Sequence, residues 1–135
     1  MNYPNNRFVY AEARQEDAPE ILEILEDEPF SGRISLMYTR RPDPLASYRL
    51  EGDEAIIAVC HDTQNGKIAG FGVCSLRQVY LNGKIEKTGY LTGLRVRREY
   101  RKIFRFIPQG YEFILAQCQS RGVKLLYTTI LEENT

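Results

Sequence analysis

Hydrophobic and polar positions follow two rhythms along this chain, and the changes of rhythm mark out its elements. Phe8-Val-Tyr-Ala-Glu-Ala13 is a short β-prone run. Asp17-Ala-Pro-Glu20 has capping-box spacing, with Asp17 as N-cap and Glu20 placed to reach back. Ile21, Leu22, Ile24 and Leu25 then recur at helical spacing, Glu20, Glu23 and Glu26 fall on the other side, and Pro29 ends the helix. The stretch Ser31–Leu50 is irregular. Ile34, Leu36, Met37 and Tyr38 allow a short second helix, broken by Arg41-Pro-Asp-Pro44. From Glu54 the period shortens. Ala55–Cys60 is a nearly continuous apolar run, as expected of a strand covered on both faces. Gln64-Asn-Gly-Lys67 is a turn, Ile68–Tyr80 a second strand of this meander, and Lys84–Arg97 the third. Asn82-Gly83 between the last two suits a type I′ hairpin turn.

Ile107–Ser120 returns to helical spacing. Ile107, Tyr111, Ile114, Leu115 and Cys118 form its expected buried face, Pro108 is tolerated in the first turn, and Gly122 terminates it. Lys124–Leu131 is a final strand. The order β-α-(α)-β-β-β-α-β predicts one α/β domain of the α+β type, with a mixed, mainly antiparallel sheet flanked by helices. Its closing β-α-β unit requires a parallel pairing through a crossover. No repeat, low-complexity tract or linker divides residues 1–135. Leu125–Leu131 is an uncharged, β-prone run without proline, so the edge of strand 124–131 is a candidate surface for self-association.

Composition adds little until charge is read locally. At 43% hydrophobic and 27% charged residues the chain is ordinary globular, and its formal net charge is zero. Yet Arg95, Arg97, Arg98, Arg101, Lys102 and Arg105 lie in one short segment against Glu99 alone. That segment joins an apolar strand to a helix N-terminus, where outward-pointing N–H groups and the helix dipole favour a phosphate. Its density of cations suits a diphosphate; the plainer reading is a solvated basic loop. Aromatic platforms on the strands are not interleaved with it, which argues against nucleic acid. Cys60, Cys74 and Cys118 are odd in number and form no Cys-x-x-Cys, so no disulfide framework or metal site is expected. The polar Met1–Asn6 is not a secretory signal, and no apolar run approaches the ~20 residues needed to cross a bilayer. A soluble, cytoplasmic protein is predicted.

Val96-Arg-Arg-Glu-Tyr-Arg101 resembles motif A of the GNAT superfamily of acyl-CoA-dependent N-acetyltransferases, where Val-x-x-x-Tyr-Arg ends a strand and opens a glycine-rich loop that binds the coenzyme A pyrophosphate. Phe8–Arg14 with Glu16-Asp-Ala18 resembles the family's opening strand and helix, and Leu126–Asn134 its fifth strand and the start of the next helix. The resemblance covers nearly the whole chain and implies acetyl-CoA as co-substrate and an amine, small-molecule or peptide, as acceptor. Two departures stand out. Arg101-Lys-Ile-Phe-Arg-Phe106 replaces the glycine-rich loop, and glycine is what permits close backbone approach to a ligand. The chain also stops at Thr135, before the family's last helix and strands. The expectation is a domain truncated at the C-terminus, forming part of a longer enzyme. The alternative is a degenerate, non-catalytic GNAT-like module that binds acyl-CoA or a protein partner.

The resemblance places the main chain of Leu94, Arg95 and Val96 beside the pantetheine arm and a tetrahedral oxyanion. It places Arg101, Lys102, Ile103, Phe104, Arg105 and Phe106 at the diphosphate, and Asn134 against the cofactor. For proton transfer the candidates are Glu86, Tyr90 and Tyr127. Each has a plainer reading: Glu86 as one partner of a cross-strand ion pair beside Lys87, the two tyrosines as half-buried strand residues. His61, the single histidine, reads as a solvated turn residue, and the three cysteines as small buried side chains.

Overall fold

The computed structural model describes residues 7–26, 43–102 and 106–128. Its elements in chain order are β1 (Phe8–Glu12), α1 (Ala18–Glu26), α2 (Pro44–Arg49), β2 (Glu54–Asp62), β3 (Ile68–Leu81), β4 (Lys84–Val96), α3 (Phe106–Ser120) and β5 (Leu125–Thr128). Among the described residues they form one five-stranded sheet in the order β1-β2-β3-β4-β5. The first four strands pair antiparallel and β4 pairs with β5 in parallel. This is the mixed, mainly antiparallel α/β sheet that the hydrophobic pattern predicts. Asn82 and Gly83, with φ of 52° and 80°, make the β3–β4 hairpin turn, and Gly122 ends α3 at a φ of 77°.

The two faces of the sheet bury different helices. On one, Ile21 and Ile24 of α1 and Leu45 and Tyr48 of α2 pack on Ile57, Val59, Phe71 and Val73. On the other, Ile114 and Cys118 of α3 pack on Ile56, Ala58, Cys74 and Leu76. Alternating residues of β2 thus face opposite cores, which explains its continuous apolar run. Cys60 and Ala69 extend the α3 face into a third cluster with Tyr100. All three cysteines are buried free thiols.

Several local expectations need correction. The capping box sits one turn early. Asp17 accepts a hydrogen bond from the Arg14 N–H at 2.8 Å and closes a 3₁₀ turn over Gln15–Asp17, so Asp17 is the partner that reaches back and not the N-cap. Glu20 is thereby released for the chemistry described below. Pro44 begins a helix where the sequence suggested a break: Asp43 caps α2 through bonds from the Leu45 and Ala46 N–H groups at 3.0 and 3.3 Å, and proline occupies the first turn, where its missing N–H costs nothing. On α3 the buried stripe is narrower than predicted. Tyr111 and Leu115 are 45% and 44% exposed, because Gly110, Phe113, Ile114 and Cys118 turn toward the sheet and the other two fall on the flank. Beside Glu86, it is Lys87 that makes a cross-strand ion pair, with Glu54 of β2 at 2.9 Å. His61 lies inside β2, its Nε2 3.9 Å from an Asp17 carboxylate oxygen, because the strand continues to Asp62 before the turn begins. Pro29, the proposed helix at Ile34–Tyr38, and Thr129–Leu131 lie outside the described residues.

Candidate functional site

The corner where β4 leaves the sheet holds five of the predicted site residues, Leu94, Arg95, Val96, Arg101 and Lys102. Two residues of β4, Gly93 and Leu94, stand opposite Gly72 alone, between the paired positions Val73–Thr92 and Phe71–Arg95. This is a β-bulge, which sharpens local twist and re-aims the strand that follows it. Gly72 faces the Ile114 and Leu94 side chains, which a Cβ there would meet at 3.6 and 3.9 Å, ordinary contact distances. Leu94 is 45% exposed beside the bulge. After Val96 the chain makes a 3₁₀ turn over Arg98–Tyr100 and then enters the 15-residue helix α3. Strand, bulge, basic turn and helix N-terminus therefore follow within about a dozen residues. A helix N-terminus carries roughly half a positive charge.

The basic turn is held from both faces of the sheet. Arg97 turns toward α1. Its Nε donates to the Ile68 carbonyl at 2.9 Å, its Nη2 to Glu20 Oε2 at 2.5 Å, and its Nη1 lies 3.5 Å from Glu23. Glu20 Oε2 also accepts the Ile68 N–H at 2.6 Å, so one carboxylate ties α1 to both β3 and the turn. Tyr100 turns to the α3 face and is buried. Its hydroxyl donates to Asp62 Oδ2 at 2.5 Å and accepts from Asn65 Nδ2 at 3.0 Å. Asp62, fully buried, also accepts from Arg7 Nε and Nη2, both at 3.1 Å, and from the Gln64 N–H at 3.0 Å. The Arg7 bonds foremost, opposed by burial and aided by Tyr100, pull the Asp62 carboxyl down to about 2. Burial, and then the Asp62 carboxylate, push the Tyr100 phenol up.

Of the segment's charges, then, Arg97 is matched by Glu20 and Glu23, and Glu99 by Lys67 at 3.6 Å. Arg98, Arg101 and Lys102 are exposed at the surface of the turn. Arg101 Nε donates to the Val96 carbonyl at 3.1 Å, joining the end of the turn to the strand end. Arg95 Nη1 donates to the Leu94 carbonyl at 3.1 Å. A shallow cleft of 460 Å³ lies where α1 meets the 62–68 turn, lined by Pro19, Glu20, Glu23, Gly66, Lys67 and Arg97. Ile103, Phe104, Arg105 and Asn134 lie outside the described residues, as does the side chain of Phe106.

The proton-transfer candidates are not brought to this corner. Glu86 is ten residues back from Val96 on the same strand, about 30 Å at strand rise, and opposes Val79 near the hairpin. Tyr90 and Tyr127 are cross-strand neighbours with ring centroids 5.1 Å apart, closer to the bulge but four residues short of Leu94. Among the described residues no cluster of His, Cys, Asp and Glu could hold a metal ion, and no helix is long and apolar enough to cross a membrane. Asp62 and Arg7 escaped the sequence reading, since their partners are 38 and 55 residues away. The signal for Tyr100 was present in the Val96–Arg101 motif, without a role attached to it.

No family model matches the chain, and no curated protein matches it by sequence. Solved structures do match its fold. It is similar to glucosamine-6-phosphate N-acetyltransferase from Arabidopsis thaliana, with a TM-score of 0.67 and 23% identity over 94% of this chain and 84% of that one. It is similar to an aminoglycoside acetyltransferase from a soil metagenomic sample, with a TM-score of 0.67 and 16% identity over 93% and 80%. A GNAT family acetyltransferase from Staphylococcus aureus matches with a TM-score of 0.61 and 12% identity over 95% and 90%. The chain has the fold of these GNAT acetyltransferases.

Proposed function

We propose that this chain binds acetyl-CoA and transfers its acetyl group to an amine. The bulge at Gly93–Leu94, directly before a basic turn and the N-terminus of α3, is the observation that carries the reading. The donor set fits a diphosphate: the exposed cations Arg101 and Lys102 stand beside a helix N-terminus. In this reading Arg98, Arg101, Lys102 and the first turn of α3 hold the diphosphate, and the main chain at Leu94–Val96 aligns the thioester. The amine nitrogen attacks the thioester carbonyl, a backbone N–H of β4 stabilises the oxyanion, and collapse breaks the C–S bond to release the thiolate, the proton lost from nitrogen balancing the one that sulfur takes up from water. The chain acts by positioning and electrostatics more than by side-chain acid–base chemistry. Structural neighbours that act on a sugar amine and on aminoglycosides make a polar amine the first acceptor class to try.

Calorimetry tests the reading directly. Acetyl-CoA should bind, and Arg101→Ala should weaken binding by about 1–3 kcal/mol, the range for a charge-assisted phosphate contact. Equal affinities would remove Arg101 from the site, and no heat at millimolar ligand would remove the coenzyme. Two observations favour a second reading, a non-catalytic acyl-CoA-binding or protein-interaction module. Arg97 is taken up by Glu20 and Glu23, and Lys102 to Phe106 stand where the family has glycines. Binding without thiol release over a panel of amines would select it.

A further inference from the structure

We propose that Asp62, acting through the hydroxyl of Tyr100, is the positioning device of the basic turn at 97–102, fixing by side-chain hydrogen bonds the backbone from which the exposed cations spring. The proposal rests on the coenzyme reading above for the identity of the ligand, but not for the anchor itself.

A turn rich in long cationic side chains has no intrinsic reason to hold one shape. Here its backbone is pinned at two points three residues apart. Arg97 is fixed on the α1 side, and its N–H donates to the Ala69 carbonyl at 2.8 Å. Tyr100 is fixed on the α3 side, and its N–H donates to the Arg97 carbonyl at 2.9 Å. The exposed cations Arg98, Arg101 and Lys102 spring from the backbone between and just beyond these pins.

Asp62 is suited to be the fixed end of the second pin. It belongs to the last residue of β2, and its main chain closes the following turn, donating to the Lys67 carbonyl and accepting from the Gly66 N–H, both at 2.8 Å. Its two carboxylate oxygens accept four hydrogen bonds, which is close to their full capacity. A buried carboxylate so satisfied has one orientation, and the Tyr100 hydroxyl inherits it. The Tyr100 ring, packed edge-on to Phe8 with centroids 6.0 Å apart, supplies burial but leaves rotation and sliding open. The hydroxyl supplies the direction.

Tyr100→Phe separates the two contributions, because it keeps the ring and removes the hydroxyl. Amide hydrogen exchange on the full chain should show residues 97–102 exchanging roughly tenfold faster in the variant, the effect of losing one charge-assisted bond. Ile114 and Cys118 in α3 should keep their protection. Asp62→Ala should raise exchange in the same segment, and the double variant should add nothing to it. In parallel, coenzyme A affinity should fall about tenfold in Tyr100→Phe while that of pantetheine, which lacks the diphosphate, stays unchanged. Wild-type exchange rates at 97–102 in Tyr100→Phe would overturn the proposal by showing that ring packing suffices. An equal loss for pantetheine would overturn it by showing a general loosening. Failure of the wild type to bind coenzyme A would sink the coenzyme reading instead, and the exchange data would still decide the anchor.

Discussion

Asp62 shows how little the neighbours of a residue in sequence say about its surroundings. It stands beside His61 and ahead of the turn Gln64-Asn-Gly66, yet it is fully buried and bonded to Arg7 and Tyr100. Its pH behaviour follows from that environment. The folded carboxyl titrates near 2, below its ordinary 3.8, so its contribution to stability is fully present above about pH 4 and is lost as pH falls toward 2. Asp62→Asn should therefore melt below the wild type at neutral pH, and the gap should narrow through that acidic window. Thermal melts in a pH series measure it, and a gap that is constant between pH 5 and 2 would show that the native carboxylate is not specially stabilised. Glu20 teaches the same lesson on the other face: its spacing fits a capping box, while its carboxylate serves Ile68 and Arg97.

At the scale of elements, β4 is the junction on which the others close. Gly89 of β4 stands between Leu76 of β3 and Leu126 of β5. A Cβ there would lie 2.9 Å from both Cys74 Sγ and Leu126 Cδ1 and 3.3 Å from Leu76 Cδ2. Leu126 can yield by rotation. Cys74 is held, its sulfur 3.8 Å from that of Cys118. Gly89→Ala should cost about 1–3 kcal/mol, the usual cost of overpacking, measured by urea unfolding. A change below a few tenths would mean that the strand shifts freely. The partner strand β5 is the outermost of the sheet among the described residues, and Leu125 and Tyr127 on it are 47% and 44% exposed. An apolar outer strand invites pairing with a second chain. The wild type should sediment as more than a monomer at high micromolar concentration, and Leu125→Lys should shift it toward the monomer. A wild type that remains monomeric would discard the edge as a contact.

Over the whole molecule, what was legible in the sequence was local or periodic. The meander, the Asn82-Gly83 turn, the double-faced β2 and the parallel closure through α3 all follow from alternation and turn chemistry within a few residues. Helix α2 was not legible, because six residues carry too few apolar positions to show a period and Pro44 reads equally as a breaker or a first-turn residue. The flank occupied by Tyr111 and Leu115 was not legible either, since periodicity gives a stripe but not which side of it meets the sheet. For the candidate site, the motif at Val96–Arg101 marked the place. What holds it there depends on Arg7, Glu20 and Asp62, which arrive from elsewhere in the chain. The bulge of β4 also has a bearing on parity. Leu91, Leu94 and Val96 share the α3 face although the first two are three residues apart, an odd step that only the extra residue permits. Take one residue out at Gly93 or Leu94 and every later side chain of the strand exchanges sides. Arg97 would then be delivered toward the α3 core and away from its carboxylates on α1. A single inserted position thus decides, for the whole segment after it, which charge meets which half of the protein.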